Sequence, residues 1–362
     1  MSRLKLKLAV SDFHMGAGPL LSNGHHNHLE DFLYDQRFAE FLEYYCAEDY
    51  FKAEVELVIC GDFFNHLQVD PMEVRPEFLT ERVGLARTGA IMDGHPKVFE
   101  ALKKFAAAPN HKITFLIGNH DLGLFWPTVQ KFILDRIGNT AGIHLKPQYV
   151  IDGVCFEHGS RHMAENWIDF DNPFVTNGQS EPIVNLTFGD LFAVRFLYRV
   201  KKERPYIGRV FPFRPYLWWA LTHDTLFALR AIANGFAYFL GVLFRIGENR
   251  RFYTRQTVKI IKEFTYPLQM DRAAKEVLSS HPECQIAIFG HGHRCASTQF
   301  GDGRWYFNTG IWNEMTSLDL GSMGRSLRFT FVEMRYDKND TPNGQLKEWK
   351  GRYREVEDMV GV

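Results

Sequence analysis

The chain has 362 residues, enough for a sizeable hydrophobic core that carries an inserted element. With 45% hydrophobic and 23% charged residues it is neither a disordered chain, a collagen-like repeat nor a disulfide-stapled miniprotein. Its 42 basic and 43 acidic residues leave a formal charge of -1, so any attraction to nucleic acid or a bilayer must be local. The opening residues alternate charge with apolar side chains up to Val10, which predicts a strand over 6–10 and lacks the unbroken apolar stretch of a secretory signal. A helix is predicted over 36–50, then a buried strand over 55–60 that runs into Gly61-Asp62. A second helix over 96–108 is closed by Pro109-Asn110, and strands over 113–117 and 154–157 lead into Gly118-Asn119 and His158-Gly159. Strand character returns over 285–289, before Gly290-His291, and again over 304–307 and 327–334. Strand-helix alternation of this kind predicts an α/β body whose polar residues collect at the carboxyl ends of its strands, where open α/β sheets place ligands.

Between 161 and 282 the rhythm changes. The stretches 186–200 and 217–244 carry Phe, Leu, Trp and Tyr at helical spacing, and the basic residues Arg195, Arg199, Lys201, Lys202, Arg204, Arg209 and Arg214 are interrupted only by Glu203. We therefore divide the chain into a body, 1–160 and 283–362, and a helical, aromatic-rich insertion over 161–282. The run 225–244 approaches the roughly 20 apolar residues of a bilayer span, but Arg230 and Asn234 lie within it, which favours an amphipathic cap or interfacial helix. Cys46, Cys60, Cys155, Cys284 and Cys295 form no CxxC pair, and their odd number predicts a reducing, cytosolic setting.

The strand ends carry the chemistry: Asp12-x-His14, Gly61-Asp62, Gly118-Asn119-His120-Asp121, His158-Gly159 and Gly290-His291-Gly292-His293. Carboxylate, imidazole and amide donors without thiolate suit manganese, iron, zinc or cobalt rather than a cysteine-rich structural zinc site. Residues one apart, as in Asp12-x-His14 and His291-x-His293, would project to one side of an extended backbone. Neither a GxSxG elbow nor a GxxxxGK[ST] loop occurs, which removes serine-triad and P-loop chemistry. His25, His26 and His28 read as a mobile polar loop rather than a contact to substrate, and Cys295 reads as a packing residue.

Taken in order, these motifs resemble the calcineurin-like metallophosphoesterases, whose pattern runs DxH, GDxx, GNHD or GNHE, a lone His after a strand, and GHxH; Asn308-Thr-Gly310 is similar to the NxG turn that follows. The resemblance implies a four-layer αββα sandwich with the insertion as a cap, and a dinuclear site. Asp12, His14 and His293 would hold the first metal, Asp62 would bridge, and Asn119, His158 and His291 would hold the second, with manganese foremost. His120 would act on the phosphate, its ring oriented by Asp121; separately, Arg161 and His162, where the chain leaves His158-Gly159, are read as substrate contacts. Asn65 stands where relatives often carry Asp or Glu.

What this implies is a dinuclear hydrolase that cuts a phosphodiester or pyrophosphate bond with metal-activated water. The aromatic insertion resembles in character that of the UDP-2,3-diacylglucosamine pyrophosphohydrolases, which implies a lipid-linked substrate and contact with a membrane surface. Those enzymes commonly have GNRD where this chain has GNHD. The alternatives are a larger core or homodimer interface for the insertion, a nuclease or cyclic-nucleotide phosphodiesterase that tracks a backbone with the basic segment, and a catalytically silent scaffold.

Overall fold

A computed structural model describes residues 4–21, 23–69, 72, 77–138, 140–176, 180–211, 213–245, 258–260, 262–263, 269–318, 324–351 and 357–358. In chain order the body begins β1 (Lys5–Val10), α1 (Asp35–Tyr45), β2 (Glu54–Cys60), α2 (Glu81–Gly94), α3 (Pro96–Ala107), β3 (His111–Leu116), α4 (Pro127–Ile137), β4 (Ala141–His144), β5 (Gln148–Ile151) and β6 (Val154–Glu157). Next come β7 (Phe174–Val175), β8 (Ile183–Val184), α5 (Phe188–Phe192), α6 (Tyr198–Glu203), β9 (Val210–Phe211), α7 (Phe213–His223), α8 (Thr225–Arg245) and α9 (Met270–Ser280). The chain closes with β10 (Ile286–Phe289), β11 (Ala296–Gln299), β12 (Trp305–Asn308), β13 (Met315–Ser317), β14 (Gly324–Ser326), β15 (Thr330–Tyr336), β16 (Pro342–Glu348) and β17 (Glu357–Asp358).

Two mixed sheets dominate. The larger runs β17-β16-β15-β1-β2-β3-β4, with β1 to β4 parallel; the smaller runs β11-β12-β10-β6-β5, with β12, β10 and β6 parallel. The central strands are near-continuous apolar runs because both faces are covered. In β2, Val55, Leu57 and Ile59 pack with Phe38, Phe41, Leu102 and Phe105 of α1 and α3, whereas Val58 and Cys60 point the other way. That second face shares one buried cluster with Phe156, Ile288 and Phe307 of the smaller sheet. On the smaller sheet's far side, Ala273, Ala274, Val277 and Leu278 of α9 bury against Cys155, Ala287 and Phe289. Helix α9 was expected within the insertion, yet its packing places it with the body.

The insertion is not wholly helical. β7 pairs with β8, and β9 joins β13 and β14 in a small sheet that ties the insertion to the chain's last third. The single helix read over 186–200 is α5, a π-helical turn over Ala193–Leu197, and α6. The run 217–244 falls into α7 and α8, which part at Asp224. Among the described residues no helix is long and apolar enough to cross a membrane.

The basic segment meets more acids than its sequence neighbour Glu203. Lys201 is buried, with Nζ 2.6 Å from Asp31 Oδ2, and Arg209 Nε lies 3.3 Å from Asp31 Oδ1. Arg204 pairs with Asp224 at 2.7 Å and Arg195 with Glu77 at 3.5 Å, while Arg230 takes Glu203. Arg199 and Lys202 remain exposed. The side chains of Arg214, Phe239 and Phe244 lie outside the described ones.

Candidate metal centre

The loops that leave β1, β2, β3, β6 and β10 bring the motif residues together. Among the described residues, three groups can hold a metal ion: Asp12, His14 and His293; His14, Asp62 and His120; and Asp62, His158 and His291. In each, the donor atoms lie within 4.8 Å of one another, and shared His14 and Asp62 join the groups into one cluster.

The backbone does not present these residues from extended strands, as the one-apart spacing suggested. β1 ends at Val10 and β10 at Phe289, and beyond them Asp12, His14, His291 and His293 have φ of 56, 49, 63 and 56°. Asp62 joins them at 52°. Each such left-handed residue costs about 1–3 kcal/mol, and such conformations gather where a site over-determines the backbone. The bracing is visible. Asp12 N–H donates to Gly61 O at 3.2 Å and His14 N–H to Asp62 O at 2.9 Å. Asp62 Oδ1 accepts the His120 N–H at 2.9 Å, and Asp12 Oδ2 accepts the His291 N–H at 2.9 Å. A Cβ on Gly118 would strike the Asp62 carboxylate, and one on Gly290 would come within 2.8 Å of Asp12 Oδ2, so only glycine admits these approaches.

The side chains leave their donor atoms pointing inward. His158 fixes Nδ1 on Cys60 O at 2.8 Å, while Nε2 stands 3.2 Å from both Asp62 Oδ2 and Asn119 Oδ1. His14 Nε2 and His293 Nε2 face each other at 3.1 Å, with Asp12 Oδ1 3.3 Å from His293. Asp12 Oδ1 is buried and has no hydrogen-bond partner among the described residues. Two buried carboxylates, converging imidazole nitrogens and an orphaned carboxylate oxygen fit divalent cations.

The electrostatics point the same way. Burial would raise both carboxyls, yet the imidazoles of His14 and His293 bring Asp12 well below the usual carboxylate range, and those of His158 and His120 do the same for Asp62. Burial would lower His158, but Asp62 raises it to about 10. Burial, reinforced by His158, brings His291 down to about 3, and burial brings His120 to about 4 against the pull of Asp62.

Two expectations change. Asp121 does not orient the His120 ring: its carboxylate accepts the Phe64 N–H at 2.7 Å and the Gly118 N–H at 3.0 Å, and His120 Nδ1 is buried without a hydrogen-bond partner among the described residues. Asp121 therefore clamps the loop rather than the ring, because a short side chain one residue on bonds to nearby backbone more easily than to its neighbour's imidazole. Arg161 and His162 were read as substrate contacts, but both turn to Glu157 of β6, with His162 Nε2 2.8 Å and Arg161 Nε 3.7 Å from Oε1. His162 also stacks on Phe289, at a ring separation of 5.5 Å.

Other motif residues sit as their chemistry suggests. Asn308 donates to Gly290 O at 2.8 Å and accepts the Gly310 N–H at 3.0 Å, bracing the GHxH loop. Asn65 accepts the Tyr198 hydroxyl at 3.2 Å, a neutral pair that a carboxylate would replace with a buried charge. His25, His26 and His28 are exposed and belong to none of the groups. Sequence reasoning missed the residues that the insertion adds. Met163 Sδ and Asn166 Nδ2 lie 3.3 and 3.4 Å from His291 Nε2. Asp190, in a capping box with Thr187, is buried beside Asn119 and Asp62; burial pushes its carboxyl up to about 7, with Asp62 adding to the rise and Asn119 opposing it. Met163 and Asn166 carry no motif, and Thr187-x-x-Asp190 reads in sequence only as a helix-starting capping box.

No protein-family model matches the sequence, and no curated protein matches it. Among solved structures, the chain is similar to a dimetal phosphatase from Danio rerio, at a TM-score of 0.38, 11% identity and 99% coverage of each chain. It is also similar to a single mutant of Vps29 from Entamoeba histolytica (0.33, 9%, 98% of each chain). A third is a predicted phosphoesterase from Streptococcus pneumoniae (0.31, 9%, 99% of each chain). At that overlap, the site chemistry has to stand on this chain's own residues.

Proposed function

We propose that the chain is a metal-dependent phosphoesterase that hydrolyses a phosphodiester or pyrophosphate bond. The observation that carries this reading is the meeting of the DxH, GD, GNHD, lone His and GHxH residues in one buried cluster of donors. The buried clusters on the faces of both sheets support the four-layer αββα arrangement that goes with that motif order. Asp12, His14 and His293 would hold one divalent ion, Asn119, His158 and His291 a second, and Asp62 both, since it shares one group with His14 and another with His158 and His291. Manganese, iron, zinc and cobalt all suit the donors. A pair of such ions would supply Lewis acidity to the phosphoryl oxygens and make water a competent nucleophile near neutral pH.

The remaining residues position and exclude. The His120 ring stands edge-on to His14 with centroids 4.7 Å apart, and burial keeps it neutral at pH 7, so an N–H is available to a phosphate oxygen. Asp121 fixes the loop that carries it. A nuclease or phosphodiesterase that tracks a nucleic-acid backbone needs free cations, and most of the basic segment is paired internally. The exposed aromatic surface on α7 and α8 favours a lipid-linked substrate met at a membrane surface: Trp218 is 73%, Leu226 85% and Phe236 62% exposed.

The test is a screen of the full chain, stripped of metal and then supplemented with manganese, zinc or cobalt, against phosphomonoesters, phosphodiesters and UDP-linked lipids. Metal-dependent release from a diester or pyrophosphate supports the proposal. Full metal loading with no turnover of any of them would instead favour the silent scaffold.

A further inference from the structure

Two buried hydroxyls connect Asp12 to the smaller sheet. Ser11, one residue past β1, and Thr309, one residue past β12, are both fully buried, and their hydroxyl oxygens stand 2.6 Å apart. Ser11 Oγ also hydrogen-bonds Asp12 Oδ2, the oxygen that accepts the His291 N–H at 2.9 Å. Thr309 is itself held in place: its N–H donates to Phe289 O at 2.9 Å, and its carbonyl accepts the Thr330 hydroxyl at 2.5 Å. A Cβ on Gly290 would come within 2.5 Å of Ser11 Oγ, so glycine there leaves room for the hydroxyl.

Counting hydrogens gives the pair a direction. An ionised carboxylate only accepts, so Ser11 donates its one hydrogen to Asp12, and the Ser11 oxygen in turn accepts from Thr309. The competing acceptors are farther off, with Gly310 O 3.3 Å from Ser11 and Phe289 O 3.4 Å from Thr309. Asp12 Oδ2 therefore carries two hydrogen bonds, while the buried Oδ1 has none among the described residues. That open oxygen is the one 3.3 Å from His293 Nε2 and 3.7 Å from His14 Nε2. On the other half of the cluster, His158 is fixed by a backbone carbonyl, Cys60 O, and does not depend on these hydroxyls.

We infer, on the dinuclear reading above, that Ser11, backed by Thr309, is a positioning residue for the first ion: it occupies one oxygen of Asp12 so that the other faces His14 and His293. The chain of hydroxyls ties the DxH loop of the larger sheet to the turn after β12 in the smaller one, so the two sheets set the carboxylate jointly. Partners behind metal ligands fix the orientation of those ligands, and losing one weakens metal affinity about 10–100-fold.

Manganese(II) is titrated calorimetrically into the metal-stripped full chain of wild type, Ser11→Ala, Thr309→Val and Thr309→Ser, and of His293→Ala, which marks the first site; thermal melts are recorded without metal. Wild type should show two sites. In Ser11→Ala the site that His293→Ala removes should weaken about 10–100-fold, while the other stays near the wild-type affinity. Thr309→Val, which keeps the shape and loses the hydroxyl, should weaken the same site by a smaller factor, and Thr309→Ser, which keeps the hydroxyl, should bind as wild type does. The Thr309 pair keeps the test alive if Ser11→Ala does not fold. Wild-type affinity at both sites in Ser11→Ala and Thr309→Val overturns the inference, as does equal weakening of both sites or a lowered metal-free melt with binding unaltered. A wild type that binds no manganese, zinc or cobalt would instead remove the dinuclear reading.

Discussion

The charged neighbours that act on Asp12 and Asp62 at the strand ends are imidazoles, whereas the acids that meet the insertion are matched to lysine and arginine. Glu30 and Asp31 show the contrast within two residues. Glu30 turns into the body, where it accepts the N–H groups of Gly16 and Gly18 at 3.0 and 2.8 Å and lies 3.3 Å from His95 Nε2. Asp31 turns to the insertion and takes Lys201 and Arg209. A carboxylate answered by guanidinium or ammonium has spent its charge on structure. One surrounded by imidazoles can pass to an ion, whose binding would drive protons off the rings.

The largest break in this contrast should come from Asp62→Ala, which removes the carboxylate shared by two groups. Elemental analysis of protein purified without chelator should find both ions depleted and hydrolysis at background. Full metal content with normal activity would sink the shared-ligand assignment. Next in size, His120→Asn should keep its metals while turnover falls about 10²–10⁴-fold, the usual worth of a positioned acid-base group. Metal lost together with activity would make His120 a ligand, a place its membership of the middle group allows.

The cluster residues of the body were legible because each follows a short apolar strand within a motif a few residues long. Order along the chain then stood in for proximity, and all seven expected ligands lie in or beside the cluster. The left-handed backbone at Asp12, His14, Asp62, His291 and His293 was not legible, since it is imposed by loops from different strands bracing one another. The pairs of Asp31 with Lys201 and Arg209 span about half the chain and have no local signature. Asp190 was hidden for a related reason: as a capping residue it looks like any helix start, and only the fold reveals that it is buried. The alternation of strand and helix pointed to a mixed α/β body, whereas β9 joins β13 across more than 100 residues and gave no warning.

A third, smaller effect separates the two clamps by pH. Burial would lower His95, but Asp35 and Glu30 raise it to about 9, so its contribution is complete below the unfolded value near 6.5 and is lost as pH rises through 9. From that shift, the loss is on the order of 3 kcal/mol. Asp31 is the reverse case: burial would raise it, but Lys201 and Arg209 hold it below the usual range, so its contribution is present above about 3.8 and is lost as pH falls through the lower folded value. Stability measured by urea unfolding should therefore drop between pH 7 and 10 in wild type and much less in His95→Gln. Lys201→Met should leave the alkaline limb alone and destabilise by somewhat less than the about 3–5 kcal/mol of a fully broken buried pair, because Arg209 remains. Identical alkaline limbs in wild type and His95→Gln would remove the body clamp from the account.

The smallest effect on chemistry belongs to the outer face of α7 and α8. Phe227 and Ala228 turn inward, with Phe227 packed among Val200 and Ile207, while Leu226, Leu229 and Phe236 follow helical spacing along the exposed side and Trp218 and Trp219 are exposed on α7. None of these exposed residues is among the metal-binding groups, so Trp218→Ser with Phe236→Ser should alter stability by no more than about 0.5 kcal/mol and leave hydrolysis of a small chromogenic phosphodiester unchanged. If this face meets a lipid surface, the double variant should lose binding to vesicles containing phosphatidylglycerol and hydrolyse a lipid-linked pyrophosphate more slowly. Arg199→Ala and Lys202→Ala, at exposed cations, should each weaken vesicle binding by about 1 kcal/mol, with the difference fading in high salt. Unchanged vesicle binding, together with a wild-type protein that sediments as a dimer and a double variant that sediments as a monomer, would assign the face to a second copy of the chain. The contrast would then narrow to a body that holds ions and an insertion that holds a partner.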